Sequence, residues 1–437
     1  MTATRTDATT AAIGHDDYSL TRVPETARYS WPIVAVQRFG QLSTISQFLI
    51  GATLGFGLSF WHAVLALTLG SVLLELVTIF VGIAGVKQGL STSLLTRWTG
   101  FGRKGSALIG LVIATSLIGW FGVQNGVFAS SLSAAVGGLP EWAWALVGGL
   151  IVTFVCIIGF RGMAWVASIT VPAFLLLAIV TVGRELSQHS LGELLAVEPA
   201  GEPMSLATAT TIVAGGFIVG AIMTPDMTRF NRTVGDVVKQ TVVGVTLGQY
   251  VIGVSGILLA LALRTSDIAA IVVGTSGLLG SIILVAATIK VNDWNLYSGS
   301  LGLVNTIDVL TGKKINRVWV TLAVGIIGSI LSAAGILNYF TDFLNFLGVL
   351  VPPIAGIIIA EYFVVRTWRT DLDEANARGE VPAHAPEWVL AGLVAWAAGW
   401  AAGYFITAGI PALTSLVVAF VVYWAAAKLG LVRRAAA

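Results

Sequence analysis

Charge is what this chain has least of. Among 437 residues there are 24 Lys or Arg and 22 Asp or Glu, 11% of the total, where soluble domains carry about 25%. So few charged side chains cannot coat a water-soluble protein of this length, and a disordered chain would need more still. A net charge of +2 offers no basic surface for phosphates, which excludes a nucleic-acid binder. Cysteine is nearly absent. Cys156 stands alone in an apolar run, so no internal disulfide exists and packing is its expected role. His15, His62, His189 and His384 are isolated, and neither HExxH nor GxSxG occurs. No metal, cofactor or enzyme activity is expected. A channel would need a repeated filter loop or a charged ring, and neither is present. What the chain has instead is 56% hydrophobic residues, 50 Gly, 14 Trp and a mean hydropathy of +0.89. It is expected to live in a lipid bilayer.

Residues 1–30 are polar, carry Asp7, Asp16, Asp17 and Glu25, and read as a cytosolic tail and not a signal peptide. Apolar runs of membrane-spanning length then recur. They are placed at 31–57, 60–84, 106–136, 142–160, 162–183, 205–228, 240–263, 274–304, 317–334, 338–364, 388–406 and 411–427. Barrel strands would alternate, so the expected class is all-α with twelve spanning helices. Lys and Arg placement supports the count. With both termini cytosolic, the outer segments hold only Arg184 and Arg264. Arg38 and Lys290 lie inside apolar runs, and all remaining basic residues fall on inner segments. This is a positive-inside pattern. The long outer loop at about 184–204 carries Glu185, Glu193, Glu198 and Glu202 instead.

Ionisable groups inside spanning runs are costly and usually face a cavity or a partner. The candidates are Arg38, Glu75, Asp226, Lys290, Asp293, Asp342 and Glu361. Asp226 and Glu361 lie near inner ends, where snorkelling or gate pairing accounts for them. Arg38 and Glu75 either pair with each other or with backbone carbonyls, or serve transport. Lys290 and Asp293 are three residues apart and neighbours on one helical face. They form either a packing ion pair or a functional charge site. In the third run Ser116, Trp120 and Gln124 fall at i, i+4 and i+8, a polar and aromatic stripe with Asn125 beside it. The stripe reads as a packing seam or, given the amides, as a cavity wall. The sixth run has Gly215-Gly216 before Phe217 and Pro225 near its end. These glycines mark either close helix approach or an unwound segment that binds ligand. Gly40-Gln41-Leu42-Ser43-Thr44 interrupts the first run in a similar way.

Six blocks, in order, resemble the cytosine permease branch of the nucleobase–cation symporter family. They are GATLGFGLS (51–59), VKQGLSTSLLTRWTGFGRKGS (86–106), GWFGV (119–123), GFIVGAIMTPDMTRF (216–230), NDWNLYSGSLGLVN (292–305) and VPPIAGIIIAEYF (351–363). The resemblance implies two five-helix inverted repeats, at 31–183 and 205–364. Two added helices follow at 388–427, with a cytosolic tail at 428–437. It implies broken first and sixth helices, with substrate between helices 1, 3, 6 and 8. Trp120 corresponds to the tryptophan that stacks on the heterocycle, Phe217 to the aromatic closing the other face, and Asn292 to a reader of the base edge. Gln124 corresponds to the glutamine of hydantoin-type relatives. Ser116, Gly216 and Asn295 flank them in the candidate substrate site. A slot between two ring faces, with amides at its edge, suits a flat heteroaromatic.

Departures from the family pattern shape the expected function. Leu117 and Val219 stand where cytosine permeases carry Gln and Ser, so cytosine is not the expected main substrate. The family sodium site joins helix-1 carbonyls, here near Gly40 to Ser43, to two helix-8 hydroxyls. Those two positions are Lys290 and Val291. An ammonium repels Na⁺ and Val offers no oxygen, so H⁺ is the expected partner and Na⁺ is not. The candidate coupling site is Lys290, Asp293, Gly40 and Ser43. The expected function is import of a purine, pyrimidine, hydantoin or allantoin across the cell membrane by alternating access. A sodium-independent uniporter or exchanger, or an amino-acid transporter of the same fold, remains the alternative.

Overall fold

The structure, a computed structural model, describes residues 18, 21–158, 172–173, 175–177, 179–185, 187–313, 315–406 and 408–434. Part of the expected fifth run (162–183), most of the tail at 1–30, Arg161 and Lys314 lie outside these described residues.

Every long element is a helix, as an apolar chain requires when its own backbone must satisfy its hydrogen bonds. The first run forms two helices, α1 (Trp31–Leu42) and α2 (Ile45–Gly57), parted at Ser43 and Thr44. α3 (Phe60–Gln88), α4 (Gly102–Ala135) and α5 (Glu141–Ile158) follow. Further along the chain come α6 (Leu206–Ile222), α7 (Val234–Leu263) and α8 (Ile268–Thr311). α9 (Arg317–Ala333), α10 (Phe340–Leu350), α11 (Pro352–Ile359), α12 (Leu390–Phe405) and α13 (Pro411–Lys428) complete the chain. Among the described residues, five helical segments are long and apolar enough to cross a bilayer: Phe60–Gln88, Gly102–Ala135, Val234–Leu263, Ile336–Val365 and Pro411–Lys428.

Local chemistry sets several ends. Thr233 and Asp236 form a capping box at the start of α7, and Asp267 caps α8. Within α8, Gly277 holds φ 57° and ψ −148°. Such a backbone is open to glycine and strained for other residues, so α8 is two helical pieces meeting at a kink. Pro352 and Pro353 cannot extend α10. The carbonyl of Leu350 there accepts from Trp396 Nε1 at 2.8 Å.

Two groups of helices frame the interior. α1 and α2 lie along α7, and α3 lies along α6. The α2–α7 approach is backbone-close, because a Cβ on Gly51 would collide with the main chain of Gly253. In the second group α4 packs along α8, and α5 and α9 pack on each other and on α4. α10 reaches from the first group to α4, where Phe343 fills the space beside Gly119.

The segment before α1 is fastened to the ends of these helices. Arg22 donates to the carbonyls of Leu372 (2.9 Å), Gln88 and Glu380, to Gln88 Oε1 (3.0 Å) and to Asn376 Oδ1 (3.2 Å). Burial brings Arg22 down to about 10, so it stays charged at neutral pH. Tyr29 N donates to Phe230 O at 2.6 Å, tying the same segment to the chain beyond α6. Opposite, in the loop expected at 184–204, Ser190 and Glu193 cap a short helix, Leu191–Ala196. Gly201 N then donates to Phe56 O at 2.7 Å, pinning the loop to the end of α2.

Candidate functional site

The break in helix 1 organises the interior. Between α1 and α2 the final carbonyls and first amides lose their helical partners, and polar side chains gather around them. Gln124 on α4 donates Nε2 to Ser46 Oγ in the first turn of α2 at 2.6 Å. Gln124 is 3% exposed, and its Oε1 has no hydrogen-bond partner among the described residues. Ser43 Oγ, at the break itself, is buried and equally without a partner. An amide oxygen and a hydroxyl are thus left open next to the gap in helix 1.

One turn before Gln124, Trp120 is 6% exposed. Its indole meets Phe343 and Phe340 of α10 edge-on, at centroid distances of 5.4 and 6.1 Å. No direct ring contact joins Trp120 to Phe217 among the described residues. Ser116 spends its hydroxyl on its own helix, donating to Val112 O at 2.8 Å. Asn125 is turned to α5, donating to Ala145 O at 2.6 Å. Of the two adjacent amides only Gln124 faces the helix-1 break.

On α8, Asn292 is buried and donates to Phe121 O of α4 at 3.2 Å, while Asn295 donates to Asn292 Oδ1 at 3.4 Å. The polar face of α8 is therefore locked to the stripe-bearing helix. The residues three apart on the neighbouring face do not form the pair their spacing allows. Lys290 has no carboxylate within 4.0 Å among the described residues. Asp293 sits against α5, where its carbonyl accepts from Cys156 Sγ at 3.1 Å, and its Oδ2 is buried without a hydrogen-bond partner.

α6 runs unbroken through Gly215-Gly216, so the unwound segment expected there is not found. Contact supplies the reason. A Cβ on Gly215 would strike the carbonyl of Leu344 on α10, and one on Gly216 would strike Ile50 of α2. The helix ends instead at Met223, before the single turn Pro225–Thr228. Gly40 has nothing within 4 Å of where a Cβ would stand, among the described residues.

Four further interior charges have partners that spacing did not indicate. Arg38 does not pair with Glu75. It donates Nη2 to Thr224 Oγ1 (3.1 Å) and Nη1 to Gln41 Oε1 (3.2 Å) and Gly220 O (3.5 Å). Its guanidinium carbon stands 5.7 Å from the centroid of Phe217. Glu75 accepts from Thr246 Oγ1 at 2.7 Å. Asp226 accepts from Thr92 N at 2.9 Å, and Glu361 from Tyr423 Oη at 2.9 Å. Sequence reasoning missed Ser46, Phe340 and Phe343, together with the seat of Arg38 on Phe217. The hydroxyl just past a polar interruption was the one available signal, and it pointed to Ser46.

Comparison with known proteins identifies the family. The family described as permease for cytosine/purines, uracil, thiamine, allantoin matches residues 23–427. The cytosine permease of Escherichia coli (strain K12) is 33% identical over 355 residues, covering 80% of this chain and 82% of that protein. The hydantoin permease of Microbacterium maritypicum is 26% identical over 341 residues, covering 72% and 68%. Among solved structures, Mhp1 in its inward-facing conformation superposes with a TM-score of 0.77 at 19% identity, over 95% of this chain and 94% of that one. Mhp1 is a nucleobase-cation-symport-1 family transporter, and its closed form with bromovinylhydantoin bound gives 0.75 at 20% identity, over 94% and 95%. The relatives are permeases and not enzymes, and the chain belongs to the family of permeases for cytosine/purines, uracil, thiamine and allantoin, as a multi-pass membrane protein of the Mhp1 fold.

Proposed function

We propose that the protein is a secondary transporter that imports a nucleobase or a related small heterocycle, of purine, pyrimidine, hydantoin or allantoin type, by alternating access. In this proposal the chain crosses the cell membrane twelve times, with five-helix repeats at 31–183 and 205–364 and both termini cytosolic. The observation that most supports this reading is the Gln124–Ser46 hydrogen bond at the helix-1 break. It orients an amide whose oxygen is unspent, one turn from the Trp120 indole. An amide edge beside an aromatic face is what a flat ring with N–H donors needs. In this reading Trp120 and Phe217 cover the ring faces, Gln124 and Asn292 read its edge, and Ser116, Gly216 and Asn295 shape the surroundings.

Coupling follows from α8. Lys290 and Val291 occupy the positions where the family resemblance calls for two hydroxyls, so no pair of side-chain oxygens is available there for Na⁺. The Lys290 ammonium, with no carboxylate within 4.0 Å among the described residues, takes the ion's place opposite Gly40 and Ser43 and exchanges a proton during the cycle. Asp293, three residues on, modulates that charge. Counterflow in liposomes is the test. Labelled heterocycle should accumulate transiently when unlabelled heterocycle is trapped inside. Absence of counterflow for every purine, pyrimidine, hydantoin and allantoin tried, with free amino acids active instead, would defeat the reading.

A further inference from the structure

Among the described residues Arg38 is the largest of the fully buried side chains, at 0% exposure, and it lies inside a helix read as spanning the membrane. A guanidinium keeps its proton at physiological pH wherever it is placed. An unbalanced charge at that depth is costly, and such residues normally meet a counter-charge. Here all three hydrogen-bonding partners are neutral: a hydroxyl, an amide oxygen and a carbonyl. No ion pair within 4.0 Å among the described residues involves Arg38, and Nε is buried with no partner at all. Gly220 O belongs to the last turn of α6, whose C-terminal dipole supplies roughly half a negative charge. The rest of the positive charge is uncompensated. It stands 5.7 Å from the ring of Phe217, the residue that in the proposed function walls the substrate slot.

We infer that Arg38 is a specificity-determining residue that selects heterocycles bound as ring-deprotonated anions. The inference rests on the proposed function, because it takes Phe217 as a slot wall. A heterocycle stacked on the far face of Phe217 lies within about 10 Å of the guanidinium, with an aromatic ring and apolar helix between them and little water to screen the field. An anion delocalised over a ring fits this geometry. It needs no direct salt bridge, and its charge supplies what the protein leaves out. Rings whose N–H is made acidic by flanking carbonyls or electron-withdrawing substituents belong to this class. Amino-substituted rings, which ionise poorly as acids, do not.

The test is equilibrium binding to the purified full-length protein at neutral pH, using two matched pairs of ligands. 5-Nitrouracil and urate are anions under these conditions, and thymine and hypoxanthine are their neutral counterparts. The wild type should bind each anion roughly tenfold or more tightly than its partner. Arg38→Gln should reduce that ratio towards one, and Arg38→Lys should keep most of it. Equal or weaker binding of the anions by the wild type would overturn the inference while leaving a heterocycle transporter in place. An anion preference that survives unchanged in folded Arg38→Gln would overturn the assignment to Arg38. Should Arg38→Gln not fold, loss of the preference in a folded Arg38→Lys would count against the inference, and its retention for it. Failure of all four ligands and of the wider heterocycle set to bind would instead count against the proposed function itself.

Discussion

Gln124 Nε2 and Ser46 Oγ lie 2.6 Å apart, so α4 is hydrogen-bonded to α2 just past the break in helix 1. The bond leaves Gln124 Oε1 free and holds it in one orientation. Removing one half of a buried hydrogen bond costs about 1–3 kcal/mol. Gln124→Leu should therefore lower heterocycle affinity by roughly 10- to 100-fold, with a thermal destabilisation of about 1 kcal/mol. Ser46→Ala should affect affinity less, since it frees the amide to turn without removing it. Titration calorimetry on both variants measures the difference, and equal losses would mean that Gln124 serves packing alone.

Trp120 carries two separable contributions. Its edge contacts with Phe340 and Phe343 support the fold, and Trp→Ala in such a setting costs about 3–5 kcal/mol. Trp120→Phe keeps an aromatic edge while shrinking the face, so it should fold normally and bind more weakly. Stacking is worth roughly 0.5–1.5 kcal/mol per face beyond burial, so Phe217→Leu should weaken binding by about tenfold at most. Unaltered affinity in a folded Trp120→Ala would remove Trp120 from the site.

Leu117 and Val219, both buried, occupy positions for which the family resemblance implies hydrogen-bonding side chains in cytosine permeases. Cytosine should accordingly be a secondary ligand. Leu117→Gln combined with Val219→Ser should raise cytosine affinity by about tenfold, the worth of roughly one buried hydrogen bond. A competition assay against a labelled heterocycle reads this out, and tight cytosine binding by the wild type would contradict it.

Lys290 and Val291 allow a constructive test. Lys290→Ser with Val291→Thr supplies two hydroxyls at the positions where the family resemblance calls for them, which should introduce Na⁺ dependence into uptake and abolish stimulation by an inward H⁺ gradient. Lys290→Ala alone should lose H⁺ stimulation without gaining Na⁺ dependence. Retained H⁺ stimulation in Lys290→Ala would place the proton elsewhere.

The spanning helices were legible because a bilayer permits few solutions: an apolar run of sufficient length becomes a helix. The break in helix 1 was legible too, since Ser43 and Thr44 end a polar interruption of an apolar run. Gly215-Gly216 left two readings open because glycine serves close packing and unwinding equally well, and the position of Leu344 on a distant helix decides for close packing. Gln124 and Asn125 are adjacent amides about 100° apart on one helix, and the sequence does not say which neighbour each will meet. Lys290 and Asp293 are close enough to pair by spacing, yet no ion pair within 4.0 Å joins them. The seat of Arg38 on Phe217 joins residues far apart in the chain, and no local pattern announces it.

The central claim is that a heterocycle is carried across the membrane without sodium. Its most direct test is uptake of labelled uracil, hypoxanthine or hydantoin into liposomes holding the purified protein, with either an H⁺ or a Na⁺ gradient imposed. Accumulation is expected in sodium-free buffer under an inward H⁺ gradient, with no further gain when Na⁺ is added. Accumulation that requires Na⁺, or none with any heterocycle under either gradient, would contradict it.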